Sequence, residues 1–315
     1  MIETHPAAVH QTGASIPFPP SRSPPFPPVT RFYPLLFVVL WSTGFIGAKF
    51  GLPYAEPLSF LCARYVSVIL LMGAVALLTR APWPRDWRQV AHIAITGLLV
   101  HAVYLGGVFM AIRHGLPAGI TALVVGLQPL LTAFGAGLFL GEKVLPRQWA
   151  GLALGLAGVG MVVAHKIQGL DDPGALVGMM TPALAALIGI TGGTLYQKRF
   201  CASFDLRTGS VIQFVPTLIV SALVASQTET MQIDWTGQFV FALTWLVLVL
   251  SIGAISLLNL LIRSGSAVNV ASLFYLTPPT TALIAWAAFG ETLSAPALAG
   301  LVLAVSGVYL VARSK

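Results

Sequence analysis

Charge is what this sequence has least of. Of its 315 residues, 57% are hydrophobic and only 9% are charged, whereas a soluble domain keeps roughly 25% of its residues charged. So little charge cannot cover a surface that faces water, and we predict an all-α integral membrane protein. A bilayer core about 30 Å thick needs about 20 apolar residues for each spanning helix, and the chain is long enough for ten.

Three further absences narrow the function. Cysteine occurs only as Cys62 and Cys201. The topology derived below puts them towards opposite faces of the membrane, farther apart than the roughly 7 Å that a disulfide allows between Cα atoms, so we expect no disulfide between them. No Gly-x-x-x-x-Gly-Lys-Ser/Thr loop is present, so we expect no ATP hydrolysis by the chain itself. No carboxylate falls at mid-membrane, where ion-coupling Asp or Glu residues usually lie. A carboxylate-based ion site is therefore not expected, and we predict no cofactor and no metal ion.

The first 32 residues are proline-rich, with eight prolines before position 31. Proline favours extended polyproline II structure and cannot nucleate a helix there. We predict a disordered cytoplasmic tail over 1–32, with a partner-binding tail as the alternative. From Tyr33 onward, apolar stretches alternate with short charged breaks. We predict ten transmembrane helices, near 33–50, 57–78, 90–111, 117–140, 147–164, 175–197, 208–225, 236–261, 267–289 and 294–311.

The basic residues predict the orientation of these helices. With a cytoplasmic N-terminus, thirteen Lys and Arg residues fall inside and three outside, and Arg64 is left within a span. Cytoplasmic loops carry such an excess of positive charge. We predict a multi-pass protein of a plasma or bacterial inner membrane with both termini in the cytoplasm. Because the net charge of +7 comes from helix ends, nucleic acid is not an expected partner.

An internal repeat emerges when the chain is shifted by 149 positions. The shift lays Gly141-Glu142 on Gly290-Glu291, and ten of the 26 residues from Gly141 are identical to those from Gly290. The repeated unit holds five spans, an odd number, so two copies must cross the membrane in opposite directions. We therefore predict two inverted five-helix repeats over 33–166 and 175–315, a recurring design of secondary transporters.

Four motifs carry a family resemblance. They are Leu40-Trp41-Ser42-Thr43-Gly44-Phe45 followed by Lys49, Ala63-Arg64-Tyr65, Gln128-Pro129…Gly141-Glu142, and Thr277-Pro278…Gly290-Glu291. Together they resemble EamA-type members of the drug/metabolite transporter superfamily over essentially all of residues 33–315. The resemblance implies a central cavity lined by helices one to four and six to nine. It also implies export of amino acids or related metabolites, as in many members.

Arg64 is the strongest candidate for substrate binding. A cation inside a span costs about 2.5–3.5 kcal/mol on insertion scales, so it is usually retained for a role. The planar guanidinium suits a carboxylate or a phosphate. The alternative is a structural arginine satisfied by backbone carbonyls at a helix break. The shift pairs Arg64 with the uncharged Gln213, so we expect an anionic group of the substrate to be drawn towards the outer side.

Other polar and aromatic residues within the spans complete the candidate cavity. His101 and Tyr104 share a helix face, with a structural histidine as the alternative. Trp41 and Lys49 share a face of the first helix with Phe45, with core packing and snorkelling as the alternatives. The predicted substrate-binding or cavity residues are Arg64, Trp41, Thr43, His101, Tyr104, Gln128, Thr132, Tyr196, Gln213, Asn259, Tyr275 and Thr277.

Helix breaks indicate hinges. Proline removes a backbone hydrogen bond and crowds the carbonyl four residues earlier, and such carbonyls are tolerated in lipid only beside protein or a wet cavity. Glutamates at helix ends either act as gates or simply cap a helix start. The predicted gating or hinge residues are Lys49, Pro129, Pro278, Pro279, Glu142 and Glu291.

These observations favour a secondary transporter, an exporter of small metabolites such as amino acids, working by alternating access. The alternatives are an importer of a carboxylate or sugar, or an intramembrane enzyme. The enzyme is disfavoured because no Gly-x-Ser-x-Gly motif and no buried acid accompany the serines and histidines. Gly151, Gly155, Gly158 and Gly160 predict a close helix contact. That contact lies either within the monomer or in a homodimer. The other expected partners are a small-molecule substrate and the lipid bilayer.

Overall fold

The computed structural model describes residues 32–116, 121, 124–167, 173–201, 203–277, 279–281, 283–284 and 295–313. Within these ranges, the side chains of 45, 49, 159, 162–167, 173–179 and 296–297 are not described. The described residues are almost entirely helical, and their only β-type pairing is an isolated bridge between Ala55 and Ile233. The all-α class predicted from the sequence is therefore confirmed.

Helices follow one another along the described residues. They are α1 (Tyr33–Gly51), α2 (Pro57–Leu78), α3 (Trp87–Arg113), α4 (Gln128–Leu140), α5 (Pro146–Ile167), α6 (Pro173–Phe200), α7 (Leu206–Thr228), α8 (Gly237–Ser264), α9 (Ala267–Ser272, then a 3₁₀ turn over Leu273–Leu276) and α10 (Ala295–Ala312). By length and composition, α2, α3, α7 and α8 can each cross a bilayer.

Large apolar side chains also cover the outside of the helices. Leu70 is 68% exposed, Leu77 73%, Phe134 65% and Val302 64%. So many large exposed apolar side chains are unusual for a protein in water. It fits helices whose outer faces meet lipid, and the protein is a membrane protein.

Helices α2 and α7 pack side by side in opposite directions, and polar contacts join them at both ends. The Glu229 carboxylate, just after α7, accepts hydrogen bonds from the backbone of Leu58 and Ser59 at 2.8 Å each. It thereby satisfies free N–H groups at the start of α2. At the other end, the Arg207 guanidinium of α7 donates to Thr79 Oγ1 after α2, at 2.8 Å.

Carboxylates at these ends have lowered pKa values. Hydrogen bonds from the Thr230 hydroxyl and backbone lower the pKa of Glu56. The Arg207 side chain, 2.6 Å from the Asp205 carboxylate, lowers the pKa of Asp205 in the same way. Both groups are therefore charged at neutral pH.

We call the two ends of the helix bundle the Glu56 end and the Glu142 end. The Glu142 end is where α4 ends and where α5 and α9 begin.

Helices α5 and α10 also pack in opposite directions, at glycines. A Cβ atom built on Gly158 would lie 2.5 Å from Gly300 O, and one built on Gly151 would lie 2.7 Å from Gly307 O. The two contacts are equivalent, because the 149-residue shift takes Gly151 to Gly300 and Gly158 to Gly307. The glycine motif thus packs within the chain, whereas the Cβ built on Gly160 meets nothing within 4 Å among the described residues, its own helix backbone aside.

Two of the long helices contain a π-helical stretch near their middle. These stretches are Leu98–Leu105 in α3 and Leu246–Ala254 in α8. They are equivalent under the same shift, which takes 98–105 to 247–254. A π-helical turn inside an α-helix is often found at functional sites, and here the stretches carry His101 and Ser251.

Candidate functional site

The Arg64 side chain lies inside the helix bundle, in a small cavity between α1, α2, α3 and α8. It is 3% exposed, and its Nε donates a hydrogen bond to Ser251 Oγ of α8 at 2.8 Å. Trp41 and Tyr104 line the same cavity. We call these four residues the guanidinium site. The structure thus brings together three of the residues predicted from the sequence.

No carboxylate neutralises this guanidinium within the described ranges, where the only ion pair joins Arg207 to Asp205. Burying an unpaired charge is costly, and such groups normally gain a counter-ion. The electrostatic complement of the site is therefore an anion, and a carboxylate matches the guanidinium fork. The cavity measures about 40 Å³, far below the roughly 300–1,000 Å³ of ligand pockets. The cavity is therefore too small for a metabolite in this conformation.

Aromatic rings close the guanidinium site on one side. The Trp41 ring lies parallel to that of Tyr104, 6.2 Å between centroids and 12° between planes. Its other contacts are edge-to-face with Phe274 at 5.2 Å and tilted with Phe37 at 5.1 Å. These rings hold the indole at one orientation beside Arg64 and make this side of the cavity apolar.

A second, uncharged arrangement repeats the guanidinium site on the opposite pair of helices. Gln213 of α7 lies opposite the π-helical stretch of α3, with its Oε1 3.5 Å from His101 Nε2. That distance is at the outer limit for a hydrogen bond. The imidazole stacks on Phe214 at 4.2 Å, and Tyr65 donates to the His101 carbonyl at 2.8 Å. Charge is thus present in only one of two equivalent places.

Buried amide and hydroxyl groups form a third polar cluster between α4, α6 and α8. Gln197 Nε2 donates to Asn259 Oδ1 at 2.9 Å, and Gln128 Nε2 contacts Thr194 Oγ1 at 3.4 Å. No member is more than 8% exposed. We call the set the amide cluster: Gln128, Thr132, Thr191, Thr194, Gln197 and Asn259.

Four predicted cavity residues lie elsewhere. Thr43 accepts a hydrogen bond from Trp245 Nε1 at 3.0 Å, and Tyr196 contacts His92 Nδ1 at 2.7 Å through its hydroxyl. The Tyr275 ring packs against α5 at Gly155. The Thr277 carbonyl accepts from Ser42 Oγ at 3.3 Å.

The predicted gating residues are only partly described. Pro129 stands in the first turn of α4, directly after a turn at 126–127. Pro279 has helical backbone and is buried. The Glu142 carboxylate accepts from the Ala267 backbone N–H at 3.3 Å and so caps α9. Pro278, Glu291 and the Lys49 side chain lie outside the described residues.

A larger cavity opens at the Glu142 end. It measures about 480 Å³, and Glu142, Gln148, Lys198 and Asn269 are among its lining residues. Lys198 donates hydrogen bonds to two backbone carbonyls, that of Ile262 in the last turn of α8 and that of Gly265 just after it. We call this cavity the vestibule. It is large enough for a metabolite, unlike the guanidinium site.

Sequence reasoning missed several residues of these sites. Ser251 had no signal of its own, since a single serine in an apolar span is common. Thr191, Thr194 and Gln197 did carry one, because their spacing of three residues puts them on one face of α6. Glu229 could not be found from the sequence, since its partners in α2 are about 170 positions away.

The described residues contain no group of three or more His, Cys, Asp or Glu side chains able to hold a metal ion. Paired apolar helices around a buried, unneutralised cation define a helical membrane protein with an internal polar site. The chain belongs to the EamA-like transporter family, whose family model matches residues 31–164 and again 177–313.

Named relatives share most of their length with this chain. The inner membrane transporter YedA of Escherichia coli K12 is 29% identical, over 88% of each chain. A probable amino-acid metabolite efflux pump of Salmonella typhimurium is 29% identical, over 89% of this chain and 93% of its own. A probable terminal-alkyne amino-acid exporter of Streptantibioticus cattleyicolor is 26% identical, over 89% and 92%.

A protein of known crystal structure has the same fold. It superimposes with a TM-score of 0.74 and covers 90% of this chain and 96% of its own, at 20% sequence identity. The family and the names of the relatives indicate a membrane transporter and not an enzyme.

Proposed function

We propose that the protein is a secondary transporter that exports small carboxylate-bearing metabolites, such as amino acids or related compounds. The observation that carries the proposal is Arg64, a guanidinium that is only 3% exposed and has no carboxylate partner among the described residues. Trp41 and Tyr104 beside it suit an apolar side chain. The names of two relatives, an amino-acid metabolite efflux pump and an amino-acid exporter, support the same substrate class.

The proposed architecture is ten transmembrane helices in two inverted repeats, 33–166 and 175–315, with both termini cytoplasmic. Two observations support it. The equivalent helices α2 and α7, and likewise α5 and α10, pack in opposite directions, as copies of opposite polarity must. The family model matches the chain twice, once in each proposed repeat.

The proposed mechanism is alternating access between the two ends of the bundle. The guanidinium site is contracted to about 40 Å³ while the vestibule at the Glu142 end measures about 480 Å³. Two equivalent packings of inverted repeats provide two such states, one open to each side. Export would load the site from the vestibule and release the substrate at the Glu56 end. Import of a carboxylate or sugar, the alternative, reverses these steps.

Flux measurements test the transport assignment. We expect purified protein in liposomes to move amino acids or their carboxylate-bearing derivatives down an imposed gradient, at rates well above those of protein-free liposomes. Neutral sugars should not move, because they cannot pair with Arg64. Chemical conversion of the added compounds without net flux would contradict transport and indicate an enzyme.

Thiol labelling tests the inverted topology. With Cys62 and Cys201 replaced by alanine, a single cysteine is introduced as Lys143→Cys or Thr292→Cys, at positions related by the repeat. In intact cells an impermeant maleimide should label the second variant, and it should label the first only after permeabilisation. Labelling of both from the same side would contradict the inversion, and the reversed pattern would contradict the cytoplasmic termini.

A further inference from the structure

The amide cluster contains several polar atoms whose hydrogen-bonding capacity is unused. Gln128 Oε1, Thr132 Oγ1, Thr191 Oγ1 and Asn259 Nδ2 are all buried and have no partner among the described residues. Leaving such an atom unpaired costs about 1–3 kcal/mol. Together the four atoms are therefore a substantial cost to the fold.

Helix–helix adhesion does not account for this arrangement. Polar side chains that hold membrane helices together do so by bonding across the interface, and Gln197 and Gln128 each make one such contact. Adhesion of this kind gains from every available donor and acceptor. In the amide cluster, the Gln128 amide oxygen and the Asn259 amide nitrogen make no hydrogen bond among the described residues. Polar groups retained at a cost inside a membrane often mark a substrate or ion pathway.

The kind of unused atom indicates the kind of ligand. The cluster offers an amide N–H donor on Asn259, an amide oxygen acceptor on Gln128, and two hydroxyls that serve as either. No aspartate or glutamate is among the buried side chains of the described residues. An ammonium group only donates hydrogen bonds, so it would leave the Asn259 donor unpaired and its own charge uncompensated. A neutral amide or hydroxyl group both donates and accepts.

We propose that the amide cluster is a second binding station, which receives a neutral amide or hydroxyl group of the transported carboxylate. The preferred substrates are then amino-acid derivatives whose ammonium is absent or acylated, such as N-acyl amino acids or hydroxy acids. This inference rests on the proposed transport function and narrows its substrate class.

The position of the cluster fits a station on the way to the guanidinium site. Thr191 and Gln197 are six residues apart on α6, which spans about 9 Å at 1.5 Å per residue. Gln197 precedes Lys198, which lines the vestibule. Asn259 follows Ser251 by eight residues on α8, about 12 Å along the same helix. A compound entering by the vestibule therefore meets neutral polar groups before it meets the cation.

Matched substrate pairs test the proposal in proteoliposomes. We compare alanine, leucine and phenylalanine with their N-acetyl derivatives and measure kcat/KM for each. In the unmodified protein the acetylated member of each pair should be favoured at least tenfold. Gln128→Leu and Asn259→Leu should reduce that preference to below threefold. Gln227→Leu, at an exposed amide near the end of α7, should leave it unchanged.

A near-isosteric variant protects the test against a simple folding defect. Asn259→Asp keeps the size of the side chain and adds a negative charge, so it should reverse the preference towards the free amino acid. Equal or better transport of free amino acids by the unmodified protein would overturn the station, as would one constant preference in all variants. If neither member of any pair moves, the proposed transport function itself fails.

Discussion

Replacing Arg64 with glutamine should raise the KM for a carboxylate substrate by about 30-fold or more. Removing one partner of a buried, hydrogen-bonded charge pair costs about 2 kcal/mol or more, and each 1.4 kcal/mol is a factor of ten. Glutamine is also the residue that stands at the equivalent place, Gln213, so the substitution makes the two halves alike. Flux into proteoliposomes, measured against substrate concentration, gives the result.

Two controls separate charge recognition from a general defect. Arg113→Gln removes an exposed arginine at the Glu56 end and should leave the KM unchanged. The methyl ester of the same substrate lacks the anion, so its transport should be equally slow with or without Arg64. Ser251→Ala removes the hydroxyl that holds Arg64 Nε at 2.8 Å and should raise the KM by less than the glutamine variant. An unchanged KM in Arg64→Gln would make Arg64 a structural residue.

Replacing Gly158 with leucine should destabilise the protein strongly. A Cβ at that position would lie 2.5 Å from Gly300 O and 2.6 Å from Ala304 N, and backbone atoms cannot move aside as a side chain can. Overpacking typically costs about 1–3 kcal/mol and occasionally more, and separating α5 from α10 should reach or exceed that range. The melting temperature in detergent is the measurement.

Gly160 provides a matched control two residues along the same helix. Among the described residues, its built Cβ meets nothing within 4 Å apart from its own helix backbone, so Gly160→Leu should change the melting temperature little. It has the same composition and a similar depth in the helix, and it differs only in the face it occupies. If both variants melted alike, the close contact of α5 with α10 would not be a source of stability.

The candidate site could be predicted from the sequence only where a residue was unusual for its surroundings. Arg64 stood out because a cation inside an apolar span is costly whichever way its helix is rotated. Ser251 did not stand out, because its role depends on a hydrogen bond from Arg64, which lies 187 positions away in the sequence. Likewise, Gln197 seemed to be an ordinary residue at a helix end until its bond to Asn259 placed it in the amide cluster. Pro129 indicated that the span predicted over 117–140 is interrupted near that position, but not what packs there.

The glycines of α5 also show what the sequence could predict and what only the structure could show. Sequence spacing predicted that Gly151, Gly155, Gly158 and Gly160 permit close helix contact, but it left open whether that contact is internal. The structure assigns the first three to contacts within the chain, with α10 or the Tyr275 ring, and leaves Gly160 apart. Rotation of a helix about its own axis decides such contacts, and composition carries no information on that rotation.

By itself, the sequence determined the solvent of this protein and its helical class, because a chain with 9% charged residues cannot cover a water-facing surface, and helices satisfy their own backbone in lipid. Only the tertiary structure decided which polar groups meet. Contacts such as those of Arg64 with Ser251 and of Gln197 with Asn259 depend on how neighbouring helices are rotated and paired. The π-helical stretches of α3 and α8 alter that rotation locally, and no spacing rule for a regular helix anticipates them.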